Sequence, residues 1–228
     1  MRAVIVSHGQ PGDPGPQQQA IEFLADQVRA EAPDCEVTGA TLAAPGALAA
    51  ALTPGCCVYP MFMAEGWFTG RELPRRIAET GIRARILPPF GSDPGLPALV
   101  SDILRAALDG RAAGDVAVLL AAHGSQRSRA SFDATEAMAA RLRPEFPVMV
   151  TGYVEQKPFL ADAARNLGAG ICLPMFALRA EHVTDDLPQA LDAAGFRGTL
   201  LDPVGLHPAV PGMIAAALRR AATAPADD

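Results

Sequence analysis

The sequence predicts an α/β protein of two pseudo-symmetric, doubly wound domains related by internal duplication, and three observations predict it. Short continuous apolar runs alternate with longer helix-like stretches, as in a parallel sheet covered on both faces. The pattern is written twice: Val4-Ile5-Val6-Ser7-His8-Gly9 returns as Val118-Leu119-Leu120-Ala121-Ala122-His123-Gly124, with the histidines 115 positions apart. Three further matches keep the register. Tyr59-Pro60-Met61-Phe62 returns as Leu173-Pro174-Met175-Phe176 and Pro89-Phe90-Gly91 as Pro203-Val204-Gly205, both at an offset of 114. Thr38-Gly39 with Pro45 matches Thr151-Gly152 with Pro158 at 113.

The elements follow in order. In the first copy the apolar runs at 3–7, 36–40, 56–63 and 84–87 read as strands, and the stretches 17–32, 48–52, 71–79 and 96–108 as helices. In the second copy the strands fall at 116–122, 148–153, 170–178 and 199–201, and the helices at 131–142, 159–167, 185–194 and 210–221. Gly110-Arg111-Ala112-Ala113-Gly114 interrupts both periods, so the expected domains are 1–112 and 113–228, with a frayed tail at 223–228.

Composition narrows the function. The 228 residues suit two domains of ordinary size, and a hydrophobic fraction of 50% supplies two cores. A net charge of −6 and a pI near 5.2 oppose a nucleic-acid surface, which needs a basic face. There is no signal-like N-terminus and no apolar run of about 20 residues, so a cytoplasmic protein without a membrane anchor is expected. Cys35, Cys56, Cys57 and Cys172 form no CxxC pair and read as buried free thiols. No nucleotide is implied, because neither a P-loop nor a strand-following GxGxxG is present.

Reading down the repeat locates the chemistry. His8 faces His123, Leu42 faces Glu155 and Phe68 faces His182, so only the second copy carries a His/Glu/His set. In an open parallel sheet, ligands bind beyond the carboxyl ends of the strands. His123 ends a strand, Glu155 closely follows the next, and His182 lies a few residues past the third. Singly, each has an ordinary explanation as a loop hydrogen-bonder or surface charge; jointly, they are expected to converge on one sheet edge. Two imidazoles and a carboxylate suit Co²⁺, Fe²⁺, Ni²⁺ or Zn²⁺, leave coordination positions open, and can accept protons. Arg127, Arg129, Lys157 (the chain's sole lysine) and Arg179 lie near these residues in sequence and suit a polycarboxylate ligand.

These residues resemble the class II tetrapyrrole chelatases, especially the CbiX/SirB-like sirohydrochlorin chelatases. The resemblance rests on His123-Gly124-Ser125, on Gly152-Tyr153-Val154-Glu155, on Pro174-Met175-Phe176 leading to His182-Val183-Thr184-Asp185-Asp186-Leu187-Pro188, and on the repeat across nearly the whole chain. It implies two flavodoxin-like domains with a tetrapyrrole in the cleft between them. It gives His123 and His182 the metal-binding and proton-accepting roles and Glu155 an assisting one. The divalent metal, Co²⁺ or Fe²⁺ with Ni²⁺ as a third choice, is then a substrate and no cofactor is permanently bound. Many two-domain relatives carry the active pair in the N-terminal half; with Phe68 at the second histidine's place, this chain resembles those working from the C-terminal half. His8 is read as a remnant of duplication or a polar wall of the cleft, and Trp67 and Phe68 as an aromatic surface for the macrocycle or packing residues. Asp185 and Asp186 cap the following helix or guide the cation.

A non-catalytic carrier of metal or tetrapyrrole in the same cleft is the alternative. A histidine phosphatase ranks last, because Ser7 and Ala122 stand where an arginine would precede the histidine. The duplication favours a monomer over a homodimer.

Overall fold

The computed structural model describes residues 1–165, 167–179 and 185–223. The strand–helix alternation is realised as two four-stranded sheets, parallel throughout. The first runs β1 (Arg2–Ser7), α1 (Pro14–Glu31), β2 (Glu36–Thr41), α2 (Ala47–Ala51), β3 (Cys57–Pro60), α3 (Leu73–Glu79) and β4 (Arg85–Ile86), in sheet order β2-β1-β3-β4. The chain then forms α4 (Leu96–Ala107), β5 (Val118–Ala122), α5 (Ala130–Leu142), β6 (Met149–Tyr153), α6 (Leu160–Ala164), β7 (Ile171–Pro174), α7 (Leu187–Ala193) and β8 (Thr199–Leu200). The second sheet has the order β6-β5-β7-β8, and α8 (Val210–Thr223) follows it.

The strands β1 and β5 sit second from an edge and are buried almost end to end, which is why their sequences are apolar without alternation. Full burial of Leu119 or Leu120 contributes about 2 kcal/mol each. On one face of the first sheet Val4, Val6 and Val58 pack with Leu48, Leu73 and Ile77; on the matching face of the second, Leu119, Ala121 and Cys172 pack with Leu160, Phe176, Leu187 and Leu191. Helix α1 begins three residues earlier than expected, at Pro14, because proline's fixed φ and missing N–H suit a first helical turn. Before α3 the chain makes a wide helical turn over Phe68–Glu72, set by the Phe68 carbonyl accepting from Leu73 N–H.

The compact units are cut differently from the repeat. One comprises Met1–Asp93 with Pro208–Asp228, the other Pro94–His207, rather than 1–112 and 113–228. The reason is where the apolar helix faces go. Helix α4 packs on β7 and α5, and its Ser101 and Arg105 both bond Glu145 in the second unit. Helix α8 packs on α1 and β3, buries Val210, Ile214 and Leu218, and pairs Arg220 with the buried Asp93 at 2.9 Å in the first. All four cysteines are buried free thiols, as expected. Among the described residues no helix is long and apolar enough to cross a membrane.

Candidate active site

Two loops at the carboxyl edge of the second sheet bring His123 and Glu155 together. Strand β5 delivers His123 directly, and Gly124 then turns the chain at φ +72°. The turn requires glycine: a Cβ there would meet Gln156 Cγ at 2.7 Å and Tyr153 Cβ at 2.9 Å. The loop leaving β6 continues the ladder past the strand, with Val154 N–H donating to Ala122 O at 3.1 Å and Glu155 N–H to His123 O at 2.9 Å. This sets Glu155 Oε2 3.8 Å from His123 Nδ1, with the side chains 45% and 38% exposed. His123 Nδ1 also lies 2.9 Å from Gly124 O. A carbonyl can only accept, so this contact favours the neutral tautomer with the proton on Nδ1 and the lone pair on Nε2.

Polar anchors fix these loops. Ser125 N–H donates to Gln156 Oε1 at 2.7 Å, Gly124 N–H to Ser131 Oγ at 3.2 Å, and Arg127 N–H to Ser125 Oγ at 3.1 Å. Behind them Glu136 accepts from the Thr151 hydroxyl and from Tyr153 OH (3.0 Å), with Arg143 at 3.6 Å. Burial first, then the Glu136 acceptor, push the Tyr153 phenol well above its ordinary range, so it is an anchor rather than an acid at neutral pH.

The other expected residues divide. Lys157 is exposed two residues past Glu155, and the Arg127 side chain is also exposed. Arg129 is committed to Asp133 at 3.1 Å and lies 4.6 Å over the Phe132 ring; Arg179 is paired with Asp202 at 2.5 Å. The local positive charge is therefore smaller than the sequence suggested. His182 lies outside the described residues. Among those described, no group of three or more His, Cys, Asp or Glu is placed to hold a metal. The capping reading of Asp186 is not realised as a side-chain hydrogen bond to α7; the residue lines a cavity of about 430 Å³ with Tyr153, Phe159, Leu160 and Gln189.

Strand pairing corrects one comparison between the copies. Ile5 pairs with Gly39 and Leu120 with Thr151, so the second strands correspond at an offset of 112, not 113. Exposed Thr38 then matches half-buried Val150, and the apparent Thr-Gly repeat is displaced by one residue, which would have exchanged sheet faces. Beyond the strands, Ala43 N–H donates to His8 O as Glu155 N–H does to His123 O, so Glu155 faces Ala43 rather than Leu42. In the first unit His8 thus has no carboxylate at that place. Its ring meets Phe68 edge-on at 4.3 Å, Phe68 packs with Phe62 and with Trp67, and Trp67 is 58% exposed.

The first unit also holds a carboxylate clamp. Buried Glu72 pairs with Arg75 at 2.8 Å and Arg76 at 2.7 Å, and Arg76 reaches Leu42 O at 2.5 Å. The corresponding residues before and within α7 are Asp186, Gln189 and Ala190, which cannot form it.

Gln156 is the residue that sequence reading missed. With the corrected register it faces Ala44, and that contrast next to Glu155 was its available signal.

The fold is that of the chelatases. It is shared with SirB from Bacillus subtilis with Fe³⁺ (TM-score 0.78, 13% identity, 97% of this chain and 95% of that one). It is shared also with a multi-domain protein of Deinococcus radiodurans described as structurally similar to chelatases (TM-score 0.75, 21% identity), of which the match covers 54% and of this chain 95%. Within that class the chain belongs to the CbiX family. The family profile matches residues 117–221. The chain is also 54% identical to CbiX, the terminal enzyme for biosynthesis of siroheme in denitrifying bacteria, over 97% of this chain and 99% of that one, with a TM-score of 0.92. Among curated proteins no match was found.

Proposed function

We propose that the protein is a sirohydrochlorin chelatase, inserting a divalent cation into sirohydrochlorin or a related anionic tetrapyrrole with release of two protons. The observation that carries this is the His123–Glu155 pair on a chain 54% identical, nearly end to end, to the terminal enzyme of siroheme biosynthesis. The siroheme role of that relative favours Fe²⁺; Co²⁺ is the other expected cation, since a SirB chelatase of 16% identity was solved in complex with cobalt.

The residues supply the chemistry as follows. The Nδ1 proton of His123 is held by Gly124 O, so Nε2 offers a lone pair to the incoming cation or to a pyrrole proton. Either event leaves positive charge on the imidazole, and the Glu155 carboxylate stands 3.8 Å away to meet it. Half exposure keeps the attraction modest, which suits a site that must release its metal. His182 is assigned the second ligand and proton acceptor, and Arg127 and Lys157 contacts to the substrate carboxylates. The protein is proposed to act as a monomer in the cytoplasm.

An anaerobic absorbance time course of sirohydrochlorin with Fe²⁺, Co²⁺ or Ni²⁺ tests this. Multiple turnovers above the spontaneous rate are expected. Tight stoichiometric binding without turnover would replace the enzyme by a metal or tetrapyrrole carrier.

A further inference from the structure

We propose that Gln156 is a positioning residue that sets the tautomer of His123 through a single peptide group; the proposal rests on the reading that His123 is the working imidazole. The Gly124–Ser125 peptide is engaged at both ends. Its N–H donates to Gln156 Oε1 at 2.7 Å, and its C=O accepts from His123 Nδ1 at 2.9 Å. A trans peptide is planar, with N–H and C=O pointing oppositely, so fixing one end aims the other. Holding the N–H also polarises the carbonyl, because hydrogen bonds in series strengthen one another. Gln156 therefore turns the carbonyl toward Nδ1, keeps the proton there, and leaves Nε2 as the ligating and basic nitrogen. This is the work that an outer partner performs for a metal-binding histidine.

The placement of Gln156 is specific to the second unit. Its backbone follows Glu155, whose N–H is pinned to His123 O at 2.9 Å, and its Cγ lies 2.7 Å from where a Cβ on Gly124 would be, so the glutamine packs there only because residue 124 is glycine. In the first unit its counterpart is Ala44, which has no side-chain acceptor. There the His8 ring meets Phe68 edge-on at 4.3 Å, and Nδ1 lies 2.6 Å from Gly9 O. His8 thus serves as an internal reference.

The test reads imidazole nitrogens by long-range ¹H–¹⁵N correlation at mildly alkaline pH, with His123 assigned through His123→Ala. Wild type shows His123 protonated at Nδ1. In Gln156→Met, similar in shape but without the acceptor, the Nε2–H form appears at His123 and His8 does not change. Gln156→Glu, which can still accept the Ser125 N–H, restores the Nδ1–H form. Metal insertion falls about tenfold in the first variant and recovers in the second. Should Gln156→Met not fold, Gln156→Ala is read in the same way. A folded acceptor-free variant whose His123 keeps Nδ1–H overturns the proposal. The tautomer is read without turnover, so failure of the chelatase reading leaves this outcome separately visible.

Discussion

Glu155 is joined to His123 twice, by a backbone hydrogen bond of 2.9 Å and by a side-chain approach of 3.8 Å between Oε2 and Nδ1. The first contact builds the loop and the second supplies charge, and a substitution can separate them. Glu155→Gln keeps the backbone bond and the side-chain shape but removes the negative charge. Its turnover number is expected to fall about tenfold to a hundredfold, while thermal unfolding stays within about 2 °C of wild type, because a half-exposed pair contributes little to stability. Steady-state kinetics beside a melting curve check both; an unchanged rate would remove Glu155 from the mechanism.

Gly124 and Gly46 have similar positive φ, +72° and +76°, but different surroundings. An added Cβ at Gly46 meets nothing within 4 Å, whereas at Gly124 it lies under 3 Å from Gln156 and Tyr153. Gly46→Ala should therefore cost only the left-handed strain of about 1 kcal/mol. Gly124→Ala should cost at least about 2 kcal/mol and also displace the His123 loop. Urea unfolding of the two variants reads the difference, and equal losses would contradict the packing described.

Stability should depend on acid through Glu72. Hydrogen bonds from Arg75 and then Arg76 hold its carboxyl down to about 2, from an ordinary value near 4.5. A depressed carboxyl stabilises the fold above its unfolded value, and that contribution is lost as pH falls through the folded value. Denaturant midpoints should thus hold steady down to about pH 5 and decline toward pH 2, with a shallower decline in Glu72→Gln. A variant as acid-sensitive as wild type would place the effect on other carboxylates.

The four buried thiols should react slowly. Burial pushes Cys172 up to about 12 and raises Cys57, so neither is appreciably thiolate at neutral pH. An aromatic disulfide reagent at pH 8 should label the native protein over hours and the unfolded protein at once, with four equivalents taken up. Rapid native labelling at Cys172 would show that its strand opens readily.

The sequence made the strands, their parallel pairing, the duplication and the His123–Glu155 convergence legible, because buried parallel strands and strand-terminal polar residues leave direct signals. What it hid has physical causes. The Thr38-Gly39 and Thr151-Gly152 pairs look alike, yet backbone pairing sets the register one residue away. The apolar stripes of α4 and α8 announce burial without naming the sheet that receives them. Arg129 and Arg179 read as free cations until Asp133 and Asp202 are seen beside them. Gln156 is uncharged, and the role proposed for it comes from one hydrogen bond to a peptide that has no signature in sequence.

The central claim is that the second copy works and the first does not, since His123 has Glu155 beside it where His8 has Ala43 and Phe68. The most direct test is anaerobic insertion of Fe²⁺ or Co²⁺ into sirohydrochlorin by wild type, His123→Ala and His8→Ala. The account predicts loss of multiple turnover in His123→Ala, to the spontaneous rate, and retention within about threefold in His8→Ala, the scatter expected away from the reacting groups. Turnover that survives loss of His123 but not of His8 would contradict it.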